Sequence, residues 1–341
     1  MSADAAGDSI LPATYWEERH VADEADSSLG EDLKSSTASI TSSVLAYRTL
    51  HGRTFHSDRV SDGEYWGAND ERAKENLDLV HHCLGLIFDG RLTTAPLEKD
   101  KLKNVLDVGC GTGIWAIDFA DEHPDAQVVG TDLSPIQPTW VPPNCRFEME
   151  DATRPWTFAP DTFDFIHMRY LYGSFPDWDF IFKEAYRVTK PGGWIETIEP
   201  SCQIQSDNGS VAPGTAMYEW GKVLIEGGEK SGRTFRVVED GLQQKGIKAA
   251  GFVDLKVTEG QSPLNGYMKD KKWNDVGLAS QLTFEQDIEG YALFICTAVM
   301  GWSPEQTRVY AAAFRKQIRD PNCHPYFNYR VVVARKPENE T

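Results

Sequence analysis

Apolar residues recur along the chain with two distinct rhythms. Asn104-Val-Leu-Asp-Val108 is an almost unbroken apolar run, as expected for a strand covered on both faces of a parallel sheet. Similar runs at 127–131, 146–149, 163–168, 190–199, 252–258 and 326–334 predict further strands. Between them the spacing lengthens to that of a helix. Ala73, Leu77, Val80, Leu84 and Ile87 predict one capped by Asn69 or Asp70 and ended by Gly90. Residues 178–188, behind Asp177, predict another, and 214–227 and 237–250 two more. The segment 288–300 is apolar nearly all round, so a helix there must be buried, either in its own fold or against a partner subunit. Ser303-Pro304-Glu305-Gln306 then opens a helix with a capping box and proline at its first position. The four prolines within 134–143 argue against an ordinary crossover helix and predict an irregular connection.

Composition narrows the partners. A net charge of −18, from 52 acidic and 34 basic residues in 341, opposes unaided binding to nucleic acid, which rests on clustered Lys and Arg. The six cysteines stand without C-x-x-C pairs, so neither a metal site nor a disulfide framework is expected, and a reducing cytoplasm or nucleus fits. The most apolar stretch, 291–300, is far shorter than the roughly 20 residues a bilayer needs. Residues 1–43, rich in Ser, Asp, Glu and Ala, read as a disordered acidic tail, with order expected from about Val44.

Chemistry enters after the first strong strand. Gly109, Gly111 and Gly113 allow a sharp turn close to a ligand, and a helix starting near Thr112 would aim free N–H groups at it. The spacing Gly111-x-Gly113-x-x-Ala116 also satisfies the dinucleotide fingerprint, which keeps a nicotinamide enzyme as a rival. The wider stretch Asp107-Val-Gly-Cys-Gly-Thr-Gly113 resembles motif I of class I S-adenosylmethionine (SAM)-dependent methyltransferases. That resemblance implies an α/β fold: a Rossmann-like seven-stranded sheet with helices on both faces and 326–334 inserted antiparallel. It implies SAM as cofactor, S-adenosylhomocysteine as product, and a methyltransferase domain over 101–341. Asp132, nineteen residues beyond Gly113 at a strand end, would accept both ribose hydroxyls, with Leu133 beside it. Asp151-Ala152 matches the position that receives the adenine amino group. The end of the 163–168 strand would turn His167, Met168, Arg169, Tyr170 and Tyr172 toward the ligand crevice.

Upstream, Tyr47-Arg, Gly52-Arg, Tyr65-x-x-x-Asn69-Asp70 and Leu77-Asp-Leu-x-His81 resemble the N-terminal region of fungal LaeA-like methyltransferases, which include the velvet-associated VipC and VapB. The resemblance implies an N-terminal helical lid and helix over 44–100, with Tyr65 near the cofactor, and a helical insertion at about 268–320. It also implies roles in fungal development and secondary metabolism within protein complexes. A related methyltransferase in a heterodimer is the expected partner, and a homodimer the alternative, with cytoplasm and nucleus as the compartments. For catalysis, methyl transfer needs alignment more than a dedicated nucleophile. His167, Tyr172 and Glu199 are candidate bases on position alone. No Asn-Pro-Pro-Tyr motif follows the 163–168 strand, which argues against amide methylation. A regulatory subunit that binds SAM without turnover is the alternative function.

Overall fold

The computed structural model describes residues 10–19, 46–57 and 65–338. In chain order the helices are α1 (Ala13–Arg19), α2 (Glu71–Ile87), α3 (Ile114–Glu122), α4 (Trp178–Val188), α5 (Ala216–Ser231), α6 (Leu242–Ala250), α7 (Lys271–Phe294) and α8 (Pro304–Ile318). The strands are β1 (Arg48–Leu50), β2 (Arg53–Phe55), β3 (Asn104–Val108), β4 (Gln127–Asp132), β5 (Cys145–Met149), β6 (Phe163–Arg169), β7 (Thr189–Gln205), β8 (Val253–Pro263) and β9 (Tyr326–Arg335). One seven-stranded sheet has the order β5-β4-β3-β6-β7-β9-β8. Strands β5, β4, β3, β6 and β7 run parallel, and β9 enters antiparallel between β7 and β8.

The unbroken apolar runs have the expected cause. Leu106, Val108 and Ile166 pack beneath α4 and α6, while Val105, Val128 and Phe165 meet Trp115 and Phe119 of α3 on the other face. No helix forms between β4 and β5, as the prolines require. Strand β7 runs past the predicted end at 199. Beyond an irregularity at 200–204 it pairs again, through Ile204 and Gln205, with the first residues of β9.

Above the strand ends sits a second core built by α1, α5, α7 and α8, around Trp16, Trp220, Phe294, Tyr310 and Phe314. Three expectations change here, and one open alternative is decided. Residues 13–19, assigned to the disordered tail, form a helix whose Trp16 is buried with its ring 5.1 Å from that of Tyr310. Two adjacent aromatic residues are enough to anchor it despite the acidic surroundings. The remaining tail positions, and Val44, lie outside the described residues. The lid is a hairpin instead of a helix, because His51 and Gly52 both take left-handed conformations (φ 50° and 83°) that close β1 onto β2. The insertion helix begins at Lys271, breaks at Asp287 (φ −147°, ψ 43°) and continues through a π turn at 295–299. Its apolar half is buried in the chain itself: Ile288, Ala292, Leu293, Phe294, Ile295 and Cys296 lie inside, and the lid's Phe55 ring packs 5.7 Å from Phe294. These side chains are therefore used within the chain.

Candidate active site

Where β3 ends, the chain turns through Gly109, Gly111 and Gly113, all left-handed (φ 68°, 57° and 80°). A Cβ on Gly109 would stand 2.5 Å from Leu171, and one on Gly111 3.2 Å from Leu77. Gly113 differs: a Cβ there would strike the Phe147 ring, and the residue serves as N-cap of α3, which starts at Ile114 instead of Thr112. Gly111 N–H donates to Asp132 Oδ2 and Ser134 N–H to Asp132 Oδ1, each at 2.9 Å. Burial pushes the Asp132 carboxyl up to about 6, against the opposing pull of those amides. Gln137, from the irregular connection, donates to Gly111 O at 2.7 Å and fixes the turn from outside.

The turn forms one wall of a cavity of about 250 Å³ at the carboxyl ends of the parallel strands. One wing holds Asp107, Gly109, Gly111, Asp132, Leu133, Asp151, Ala152 and Arg169, bringing together most of the residues the sequence nominated. Asp151 Oδ1 accepts from Thr153 N–H (3.0 Å) and Oγ1 (2.7 Å). Its Oδ2 is buried without a hydrogen bond, 3.4 Å from Arg154 Nε. Arg169 makes no ion pair or side-chain hydrogen bond among the described residues, and burial lowers its pKa. The other wing is aromatic. Tyr65 and Trp66 of the lid, Tyr170 and Tyr172 after β6, Trp220 of α5 and Phe284 and Tyr291 of α7 enclose it. The Trp66 ring lies 6.0 Å from that of Tyr172 and 6.3 Å from that of Tyr291. Burial pushes Tyr65 up to about 12 and holds Tyr170, Tyr172 and Tyr291 above the ordinary tyrosine value, so these hydroxyls are neutral.

Four nominated residues do not reach the cavity. Met168 is fully buried in the sheet core. His167 lies under the cavity floor, its Nδ1 3.0 Å from Asp107 Oδ1 and its ring stacked on Trp115. Glu199 accepts from Leu171 N–H (2.9 Å) and Tyr172 N–H (3.0 Å), which fixes the turn begun by Tyr170 at φ 54°. Burial raises its carboxyl to about 8. Gly113 is occupied with Phe147. For His167 and Met168 the reason is depth: β6 continues to Arg169, so both lie below the strand end, inside the layers. Sequence reading missed Trp220, Phe284, Asp287 and Tyr291, which line the upper chamber from elements distant in the chain. An acid at position 287, directly before an apolar run, was the one available signal.

A family model described as a methyltransferase domain matches residues 79–222. The chain is 36% identical over 307 residues to the methyltransferase pytC of Aspergillus terreus, covering 90% of this chain and 93% of that protein. It is 32% identical to the secondary metabolism regulator LAE1 of Cochliobolus heterostrophus, covering 84% and 94%. The chain belongs to the LaeA-like class I methyltransferases. Another member, from Emericella nidulans, is named protein-methionine methyltransferase laeA and is 31% identical over 292 residues, covering 84% of this chain and 76% of that one.

The LaeA-like enzyme uses SAM, and its polar wing fits that molecule part by part. Asp151 Oδ2, buried with no hydrogen bond and only the long Arg154 ion pair, suits the adenine amino group. Asp132 at the end of β4 suits the ribose diol. Asp107 and Arg169, an anion and a cation on the same wall, match the zwitterionic amino-acid end.

Proposed function

We propose that this LaeA-like methyltransferase methylates an uncharged acceptor that presents a free lone pair, a methionine-type thioether being the fitting case, and that it acts in the control of secondary metabolism. When bound, SAM supplies an electrophilic methyl carbon on a positively charged sulfur. Asp132, Asp151, Asp107 and Arg169 hold it, while the lid and α7 keep water from the chamber. Tyrosine and tryptophan faces stabilise a nearby sulfonium by about 0.5–2 kcal/mol each.

The observation that carries this reading is the state of the bases. Among the described residues of the aromatic wing, no carboxylate or imidazole is free to take a proton. Asp287 is gripped by Arg53 at 2.7 and 2.8 Å and by Arg72 at 3.2 Å, and the tyrosines are neutral. A thioether has no proton to lose and needs no base. The Emericella relative's name points the same way, and the Cochliobolus relative's name motivates the regulatory role. A second reading rests on Ser201, which lines the chamber and donates to Glu239 Oε1 at 2.5 Å. That pair would relay a proton from a hydroxyl acceptor, whose proton passes to Ser201 as the Ser201 proton passes to Glu239.

Incubating the full chain with methyl-labelled SAM and fungal extract, followed by mass spectrometry, tests both. A fixed-charge methylsulfonium product supports the first reading. A methyl ether whose formation collapses in Glu239→Gln supports the second. Binding of SAM without transfer to any acceptor would leave the regulatory subunit.

A further inference from the structure

Three ionisable side chains stand in one row across the middle of the sheet. Asp107 on β3, His167 on β6 and Glu196 on β7 are direct neighbours in the strand register. Their residues are 2%, 0% and 0% exposed. Buried charge is costly unless paired and hydrogen-bonded, so the row calls for an explanation. Its geometry is fully determined at one end. Glu196 Oε1 accepts from both the N–H and Oγ1 of Thr94 at 2.7 Å. His167 Nε2 faces Glu196 Oε2 at 3.9 Å, and Nδ1 stands 3.0 Å from Asp107 Oδ1. A carboxylate only accepts, so Nδ1 carries the proton of that bond. The imidazole cannot swing away. Its ring lies parallel to that of Trp115 (4°, centroids 3.7 Å apart), and Trp115 Nε1 is tied to Leu92 O at 2.8 Å.

Of the three, only Asp107 lines the cavity. Its Oδ2 receives no hydrogen bond from the described residues, and Arg169 lines the same wall without a partner among them. We infer that His167 is a positioning residue: held by its stack on Trp115, it fixes the Asp107 carboxylate so that its free oxygen receives the α-ammonium of the cofactor's amino-acid end. The inference rests on the SAM reading of the polar wing and adds a duty for two residues that touch no ligand.

Two ligands separate this duty from general support of the fold. S-adenosylhomocysteine carries the α-amino acid, whereas 5′-methylthioadenosine keeps the nucleoside and thioether and lacks it. Two substitutions separate the ring nitrogens, since His167→Asn sets a side-chain N–H near the Nδ1 position and His167→Gln sets one near that of Nε2. In calorimetry on the full chain, His167→Gln should weaken S-adenosylhomocysteine roughly tenfold or more, the loss of one charge-assisted hydrogen bond. It should leave 5′-methylthioadenosine within about twofold, and His167→Asn should keep both ligands within about threefold. Equal losses for both ligands, or full S-adenosylhomocysteine affinity in His167→Gln, would overturn the inference. If His167→Gln does not fold, the His167→Asn variant decides: retained S-adenosylhomocysteine binding supports the positioning role, and its selective loss refutes it. An unsubstituted chain that binds neither ligand would refute the SAM reading itself.

Discussion

Asp132 serves two opposing requirements. Burial at the end of β4 raises its carboxyl to about 6, yet accepting both hydroxyls of a ribose requires the ionised form. The bound state therefore favours the carboxylate, and affinity is lost as pH falls through that value. S-adenosylhomocysteine should bind about tenfold more weakly at pH 5 than at pH 8. Titration calorimetry at both values checks this, and Asp132→Asn should flatten the dependence while weakening binding throughout. Gly111 is constrained by backbone more than by space. At φ 57°, with Leu77 3.2 Å from a would-be Cβ, a valine meets both strain and a crowded wall. Gly111→Val should abolish cofactor binding in calorimetry with the circular dichroism spectrum near that of the parent. Asp107, Asp132 and Asp151 were legible in the sequence because each sits at or just past the end of a strongly apolar run. His167 and Met168 lie on the same kind of run, but their depth depends on where β6 stops relative to its neighbours, which is not a local property.

The lid and α7 form one device. Arg53, on the second strand of the lid hairpin, meets Asp70 at the N-cap of α2 (2.5 and 2.8 Å) and Asp287 at the break in α7 (2.7 and 2.8 Å). Asp287 also accepts from Gly290 N–H at 3.1 Å, so the same carboxylate caps the second half of α7 and latches the lid. Removing one partner of such a buried pair costs roughly 3–5 kcal/mol. Arg53→Ala should release the hairpin, seen as faster hydrogen exchange over 48–55 and faster dissociation of S-adenosylhomocysteine in stopped flow, with the sheet's protection unchanged. Helix α2 was readable from its period and cap, and Asp70 does cap it through Ala73 N–H. The hairpin was not, because a strand of three residues carries too short a pattern to outweigh its surroundings.

Two buried carboxyls make the ligand-free protein as a whole less stable as pH rises. Asp132 near 6 and Glu199 near 8 lie above their unfolded values of 3.8 and 4.5, so the folded chain holds more protons than the unfolded one between those limits. Stability from these groups declines as pH rises through that interval; the burial-lowered imidazoles of His81 and His123 oppose it below about pH 6.5, so thermal melts should fall from about pH 6.5 to pH 9. The upper core tests where the apolar helix belongs. Replacing Leu293 and Phe294 with Asp inserts two charges among Phe55, Ile295 and the helices of the cap, a cost above the roughly 3–5 kcal/mol of a large-to-small core change. The double variant should melt far below the parent or fail to fold. A folded variant with unchanged melting would return that helix to an interface. The sheet, the glycine turn, the acids near its strand ends and the family were legible along the chain, because apolar runs, left-handed turns and helix caps depend on neighbours within a few residues. The hairpin lid, the aromatic chamber, the row from Asp107 to Glu196 and the covering of the apolar side chains between Ile288 and Cys296 came from packing between distant elements. Each of these joins residues far apart in the chain, Arg53 and Asp287 being separated by 234 positions, and no local period encodes which distant surface will close over a given side chain.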